Sequence, residues 1–378
     1  MVTGGICPPH TVRGKFLLTV SLCRSSAAGA GISSCARPYG RSEGEGCALW
    51  DAVIVAAYVA LLAGSALLGG RKVRGGSDFT ASPKRYGAAV IFATLSASYV
   101  GGGYSSGNAA MAFSAGIGST LTLFGFSLSM MAIARWLVPG VARFPGVTTV
   151  GGVLEAVYGR RARIVSGWLA FFCCAGVVGA QMETMGVVLH SLTGWPPAAG
   201  IMTGAAVVLL YTTFGGLQSV IVADVLQFAL LAVGMPVLLF AAVQRIGGVP
   251  ALIRALPAEY ADPFYRLSPA AFFSLLLAMS FGEALAPPYT QRLLVGRNAR
   301  ETAKGTLWSG LFSVPFFAVT GGIGLAAYAL GVTAEPSEAM PALIFAVLPT
   351  GLRGLVMAAM VSVLLSASDS FLNSAAVG

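Results

Sequence analysis

Charge is what this sequence has least of. Of its 378 residues only 10% are Asp, Glu, Lys or Arg, 56% are hydrophobic, and mean hydropathy is +0.80. A soluble domain carries roughly 25% charged residues, so the composition excludes a soluble fold and points to a helical protein of the membrane. Short alternating strands are missing, which excludes a β-barrel. Histidine is nearly absent, with only His10 and His190, and no nucleophile–base pair supports an enzyme. There is no Gly-rich loop ending in GK[ST], which argues against an ATP-driven pump. Six cysteines (Cys7, Cys23, Cys35, Cys47 and the adjacent Cys173 and Cys174) show neither CxxC nor Cys/His spacing, so no zinc site is expected. The net charge of +9 reads as cytoplasmic loops, not as a nucleic-acid surface.

What is present is a series of long apolar runs. At about 1.5 Å per residue, each of nine reaches across roughly 30 Å of hydrocarbon. They lie near 49–69, 86–114, 118–138, 163–190, 197–213, 217–243, 269–295, 305–330 and 351–377. PSEAMPALIFAVLP (Pro336–Pro349) predicts a shorter helix against the outer face. Residues 1–46, rich in Ser, Gly, Arg and Cys, read as a disordered or non-native extension; residues 47–378 form the membrane domain. Basic residues cluster in the odd-numbered loops: Arg71, Lys72, Arg74, Lys84 and Arg85; Arg135, Arg143, Arg160, Arg161 and Arg163; then Arg292, Arg297, Arg300 and Lys304. These loops are therefore expected in the cytoplasm, and Trp50, Trp136, Trp168, Trp195 and Trp308 fall near span ends as interfacial anchors.

Four acids, Glu183, Asp224, Glu283 and Asp369, lie inside apolar spans, with no basic residue read at comparable depth. A charge at mid-membrane costs about 2.5–3.5 kcal/mol on insertion scales, so such acids are expected to line an interior path or site. In the ninth span Ser362, Ser366, Asp369, Ser370 and Asn373 fall within one arc of roughly 100°. Such a stripe faces protein, where it serves interhelical hydrogen bonding or offers hard oxygens to a cation such as Na⁺. The second span holds ATLSASYVGGGYSSGNAA (Ala93–Ala110), whose three glycines and many hydroxyls predict an interrupted helix. The seventh holds FGEALAPPYTQR, in which Pro287 and Pro288 remove two amide donors. Two interrupted spans, five apart in order, mark an inverted-repeat transporter with its site at the midplane.

At these residues the chain resembles the sodium:solute symporters, transporters of sugars, proline, pantothenate, sialic acid and choline. The likeness runs from about Ser77 to the C-terminus. It rests on SDF (Ser77–Phe79), TFGGLQSVIVADVLQ (Thr213–Gln227), PYTQRLLVGRNARETAKG (Pro288–Gly305) and SASDSFLNS (Ser366–Ser374). It implies the all-α leucine-transporter-type fold: a leading helix (49–69), a first five-helix repeat (86–243) and a second, inverted repeat (269–378) incomplete by its last two helices. It implies Na⁺ as the co-transported ion, held between the second and ninth spans by the carbonyls of Phe92, Leu95 and Val363 and the hydroxyl of Ser366. Ala367 stands where the family often has a second hydroxyl. A second cation position would use Asp224, Ser366, the Asp369 carbonyl and Ser370.

ASYVGGGYSSGNA is nearest the choline-transporter branch. Tyr99 stands where that branch has tryptophan, and the other cage positions fall at Val177 and Ala286, so choline itself is not expected. The solute pocket is assigned to Tyr99, Gly102, Gln181, Glu283 and Tyr289. The expected function is sodium-coupled import of a small polar organic solute by a multi-pass protein of the cell (plasma) membrane. Two alternatives stay open: a proton-coupled symporter of the same fold, with Asp224 or Asp369 carrying the proton, and a non-transporting fragment or sensor.

Overall fold

The computed structural model describes residues 45–70, 86–141, 144, 147 and 149–377. Most of the N-terminal extension, the SDF motif, Arg71, Lys72, Arg74, Lys84, Arg85 and Arg143 lie outside the described residues. Among those described, all regular structure is helical, and the one extended pairing is an isolated bridge between Tyr86 and Gly296.

In chain order the first helices are α1 (Glu45–Gly70), α2 (Ala88–Tyr99) and α3 (Asn108–Ala115), with a π-helical turn, Gly103–Gly107, between the last two. α4 (Ile117–Ala132) runs on through a π-helical turn to Val141. Then come α5 (Val150–Tyr158), α6 (Arg160–Thr193), α7 (Pro197–Ile246) and α8 (Val249–Ala255). The remainder comprises α9 (Pro269–Phe281), α10 (Pro287–Leu293), α11 (Ala299–Leu330), α12 (Ala339–Val347) and α13 (Leu352–Val377). Both expected interruptions are present, α2/α3 at Val100–Gly102 and α9/α10 at Gly282–Ala286. Ile117–Val141, Arg160–Thr193, Ala223–Ile246, Ala299–Leu330 and Leu352–Val377 are each long and apolar enough to cross a membrane.

One boundary differs from the sequence reading. Residues 197–213 and 217–243 were expected as two spans, but α7 is helical without interruption from Pro197 to Ile246. The joint is Thr-Phe-Gly-Gly, and glycine in a helix interior costs only about 1 kcal/mol relative to alanine. Unlike Pro287 and Pro288, it removes no amide donor, so it does not force a break. α7 thus comprises 50 residues, with Pro236 inside it. The loop alternation read from basic residues counted a loop here, and the described backbone has none.

α13 is the axis of the bundle. Of its most apolar stretch 89% is buried in the protein, against 11% for α6, whose Val165, Trp168, Leu169 and Phe172 face outward. α13 packs on α7, α6 and α1. Asp51 of α1 fastens its start: one carboxylate oxygen accepts from the Gly351 and Gly354 amides at 2.9 and 3.0 Å, and the other pairs with Arg353. An acid there satisfies orphan amides and meets the positive end of the helix dipole. α12, expected on the outer face, is buried through Ala339, Met340, Leu343 and Ile344 and packs on α11.

α11 approaches its neighbours through small residues. Its buried face includes Thr306, Ser309, Gly310, Ser313, Thr320, Gly321 and Gly324. Small residues let backbones meet where lipid supplies no hydrophobic drive between helices. Outside the spans, Tyr260 closes over the α3–α4 turn: its hydroxyl donates to the Phe113 carbonyl at 2.8 Å. Burial pushes that hydroxyl up to about 12, so it stays a neutral donor near neutral pH.

The close approach of α11 predicts a graded response to added methyl groups. A Cβ at Gly324 would lie 2.0 Å from the Ala109 carbonyl oxygen, whereas one at Gly322 would meet only the Leu239 side chain, at 3.2 Å. Gly324→Ala is expected to destabilise by at least the ~1–3 kcal/mol typical of overpacking, and Gly322→Ala by clearly less, as read from thermal unfolding in detergent.

Candidate cation and solute sites

The first site is built by the way α2 ends. Val100 has φ −72° and ψ 57°, an inverse γ-turn, and the Gly101 amide bonds back to the Tyr99 carbonyl at 2.6 Å. In a continued helix that amide would serve Ala97, and the Gly102 amide would serve Ser98. Gly102 N–H instead donates to Gln181 Oε1 on α6 at 2.7 Å. The carbonyls of Ala97 and Ser98 are thereby released from their helical donors. Ser98 and Ser105 hydroxyls take local partners, the Thr94 and Gly101 carbonyls, at 2.7 and 2.8 Å.

α13 lies against this end with its polar stripe inward: Ser362, Ser366, Asp369, Ser370 and Asn373 are all buried. Ser366 Oγ is 3.4 Å from the Ala97 carbonyl oxygen and 2.6 Å from Asp224 Oδ1 on α7. A serine hydroxyl has one proton, and the shorter contact to a carboxylate engages it. The Ala97 oxygen and the Ser366 oxygen then face each other with no proton between them, an arrangement that suits a cation. Ala97, Val363 and Ser366 line one small enclosure with Gln227, Phe228 and Leu231.

Four residues were assigned to the sodium site by resemblance, and the structure separates them. Val363 and Ser366 border the enclosure. Phe92 and Leu95 sit inside the regular part of α2, before the released carbonyls. Phe92 packs its ring among Phe228, Phe312 and Trp308. The backbone oxygen that reaches Ser366 belongs to Ala97. The signal was available: carbonyls lose their donors in the last turn before a break, and the glycines placed that break at 101–103.

At the second cation position the surroundings differ from a simple oxygen cage. Asp224, Ser366 and Ser370 do converge, but around a guanidinium. Arg292 of α10 is 1% exposed; its Nη2 donates to Asp224 Oδ2 at 3.2 Å and to Ser370 Oγ at 2.7 Å. Thr94 Oγ1 donates to the same carboxylate oxygen at 2.6 Å. Arg292 had been read as a loop residue, with no base at the depth of the acids. The diproline explains the difference, since it restarts the chain as α10 and carries the following Gln-Arg pair inward, where Gln291 is buried too. Asp369 is fully buried on α13, but neither carboxylate oxygen has a hydrogen-bond partner.

The five residues assigned to solute border a single cavity of about 330 Å³, together with Tyr104, Glu183, Val177 and Phe371. Tyr99 is 1% exposed and its hydroxyl donates to the Ser309 carbonyl at 3.1 Å, so it presents a ring, not a free hydroxyl. Tyr289 donates to Glu283 Oε1 at 3.3 Å. Tyr104, missed in the sequence reading, stacks on Phe317 at 5.0 Å.

Comparison with known proteins shows the family and the fold. The family model described as "Sodium:solute symporter family" matches residues 79–377. A sodium/glucose cotransporter of Vibrio parahaemolyticus is 24% identical over 376 residues, covering 88% of this chain and 68% of that protein. Solute carrier family 5 member 4 of Rattus norvegicus is 25% identical, covering 75% of this chain and 49% of its own length. The sodium/pantothenate symporter of Escherichia coli (strain K12) is 24% identical, covering 66% and 55%. The chain thus spans between about half and two-thirds of these relatives. Among solved structures, a Na⁺-coupled sialic acid symporter in a substrate-bound outward-open state aligns with a TM-score of 0.77 at 18% identity, over 87% of this chain and 73% of that one. That likeness establishes the leucine-transporter-type fold.

The ion pair carries a stability prediction. Arg292→Met leaves Asp224 buried without its base and is expected to cost about 3–5 kcal/mol, as breaking a buried pair does. Adding Asp224→Leu to that variant should recover most of the loss in thermal unfolding. A double variant no more stable than Arg292→Met would show that the two charges are not coupled.

Proposed function

Because the chain belongs to the sodium:solute symporter family, we propose that it forms the ion- and solute-binding part of a sodium-coupled importer of a small polar organic solute, working by alternating access in the cell membrane. One observation carries the reading: the Ala97 carbonyl, freed by the break in α2, faces a Ser366 oxygen whose proton is engaged by Asp224. Sodium bound there joins α2 to α13 and favours the state that admits solute. The solute occupies the cavity bordered by Tyr99, Gly102, Gln181, Glu283 and Tyr289, with segments 86–243 and 269–378 acting as the two repeats. At a membrane potential of 100 mV each entering Na⁺ supplies about 2.3 kcal/mol.

The reading assigns one sodium per cycle. A second ion beside Asp224 and Ser370 would have to displace the Arg292 guanidinium, whose Nη2 already donates to both. Proton coupling through Asp224 is disfavoured by its hydrogen bonds, because both carboxylate oxygens already accept, Oδ2 from Arg292 and Thr94 and Oδ1 from Ser366.

Proteoliposomes given an inward sodium gradient, with labelled glucose, pantothenate and choline as probes, test the proposal. Accumulation should follow the gradient, depend hyperbolically on Na⁺, and need about tenfold more Na⁺ in Ser366→Ala, the effect of losing ~1.4 kcal/mol of ion binding. Accumulation that persists when potassium replaces sodium and a pH gradient is imposed would overturn it.

A further inference from the structure

Gln227 is a buried polar side chain that neither the ion pair nor the solute cavity uses. It lies on α7 one turn after Asp224, is 2% exposed, and has no hydrogen-bond partner on either its oxygen or its nitrogen. A buried amide left unsatisfied costs about 1–3 kcal/mol, so its presence needs a reason. Its surroundings supply one. Gln227 borders the same small gap as Ala97, Val363 and Ser366, which has no room for a free water. The rest of the lining is Phe228 and Leu231, and the residue following Ser366 is Ala367. The Tyr58 hydroxyl of α1 bonds Ser362 Oγ at 2.7 Å and lies within reach of the amide N–H as well. Water cannot satisfy the amide oxygen there, and no protein donor is bonded to it.

We propose that Gln227 is a sodium ligand, its Oε1 completing the oxygen set begun by the Ala97 carbonyl and Ser366 Oγ. This rests on the sodium site proposed above and adds a donor from a third helix. A hard monovalent cation prefers neutral amide, carbonyl and hydroxyl oxygens, and stripped of its water it is small enough for the enclosure. The amide nitrogen, turned from the ion, is left to the Tyr58 side. Ion binding then ties α7 to α2 and α13 and removes the cost of the orphan oxygen.

The test reads sodium binding without transport. The full chain in detergent is titrated with NaCl at constant ionic strength, N-methyl-D-glucamine chloride making up the balance, and the midpoint of the sodium-dependent rise in Tm is recorded. Gln227→Leu, similar in size and apolar, should leave Tm without sodium unchanged or higher, because the orphan amide is gone. It should also raise the sodium midpoint about tenfold, equivalent to ~1.4 kcal/mol. Gln227→Glu, which keeps an oxygen, should hold the midpoint near wild type or below it. A Gln227→Leu protein with a wild-type midpoint overturns the proposal while Ser366→Ala still shifts it. A purely structural glutamine would instead lower Tm without sodium and leave the midpoint in place, which also overturns it. If the wild-type chain shows no sodium response, or if neither variant moves it, the underlying sodium site fails as well.

Discussion

The interruption at Val100 is the constraint on which the rest of this structure depends. Inside hydrocarbon every orphan backbone group costs several kcal/mol, so a chain can open a helix there only where other groups close the gaps. Most gaps are closed. Gln181 receives the Gly102 amide, Tyr99 turns its carbonyl to the Gly101 amide, and Ser105 caps the Gly101 carbonyl. What stays open is directional: the Ala97 carbonyl, on the side where α13 brings Ser366. A defect repaired on one side and left open on the other is the backbone arrangement that the proposed sodium site requires.

Electrostatics narrows which partner that is. Asp224 would attract any cation into this region, but its second oxygen already serves Arg292 and Thr94. Only Oδ1 looks toward the enclosure, and it acts through Ser366. On the proposed reading the carboxylate polarises a ligand instead of being one, and the ion meets neutral oxygens near one fixed charge. Such a setting suits a single monovalent ion held loosely enough to leave. The guanidinium also reaches Ser370, so α10, the second half of the other broken helix, is wired into the same network.

How much of this was legible in the sequence follows from how local each signal is. The breaks were readable because Gly-Gly-Gly and Pro-Pro act on the backbone where they stand. The inward stripe of α13 was readable because periodicity alone forbids it to face lipid. The burial of Arg292 was not: a basic residue just past a span reads as a loop, and only the restart of the helix at Pro287 carries it inward. Ala97 was missed because its side chain says nothing; its part is played by a carbonyl whose freedom depends on where the last helical turn ends. Gln227 was read as part of a motif with no role, since an unpartnered amide is visible only once its neighbours are known. The Gly-Gly joint in α7 was over-read, because glycine permits a break without requiring one.

The geometry of α2 also bears on coupling. Ala97 borders the ion enclosure, while its neighbours Ser98 and Tyr99, with Gly101 and Gly102, border the larger cavity. Two compartments thus share one short piece of backbone on either side of a single γ-turn. On the proposed reading, sodium drawn to the Ala97 carbonyl fixes the peptide planes that follow, and those planes set where the Tyr99 ring and the Gly102 amide stand. Thermodynamic linkage makes the relation reciprocal: whatever solute contact depends on that turn must strengthen ion binding by the same factor. Gln181 strengthens the link, since it holds the Gly102 amide with its oxygen and lines the solute cavity with the same side chain. The coupling needs no long pathway through the protein. It needs only that the turn at Val100 have two arrangements, and that both ligands prefer the same one.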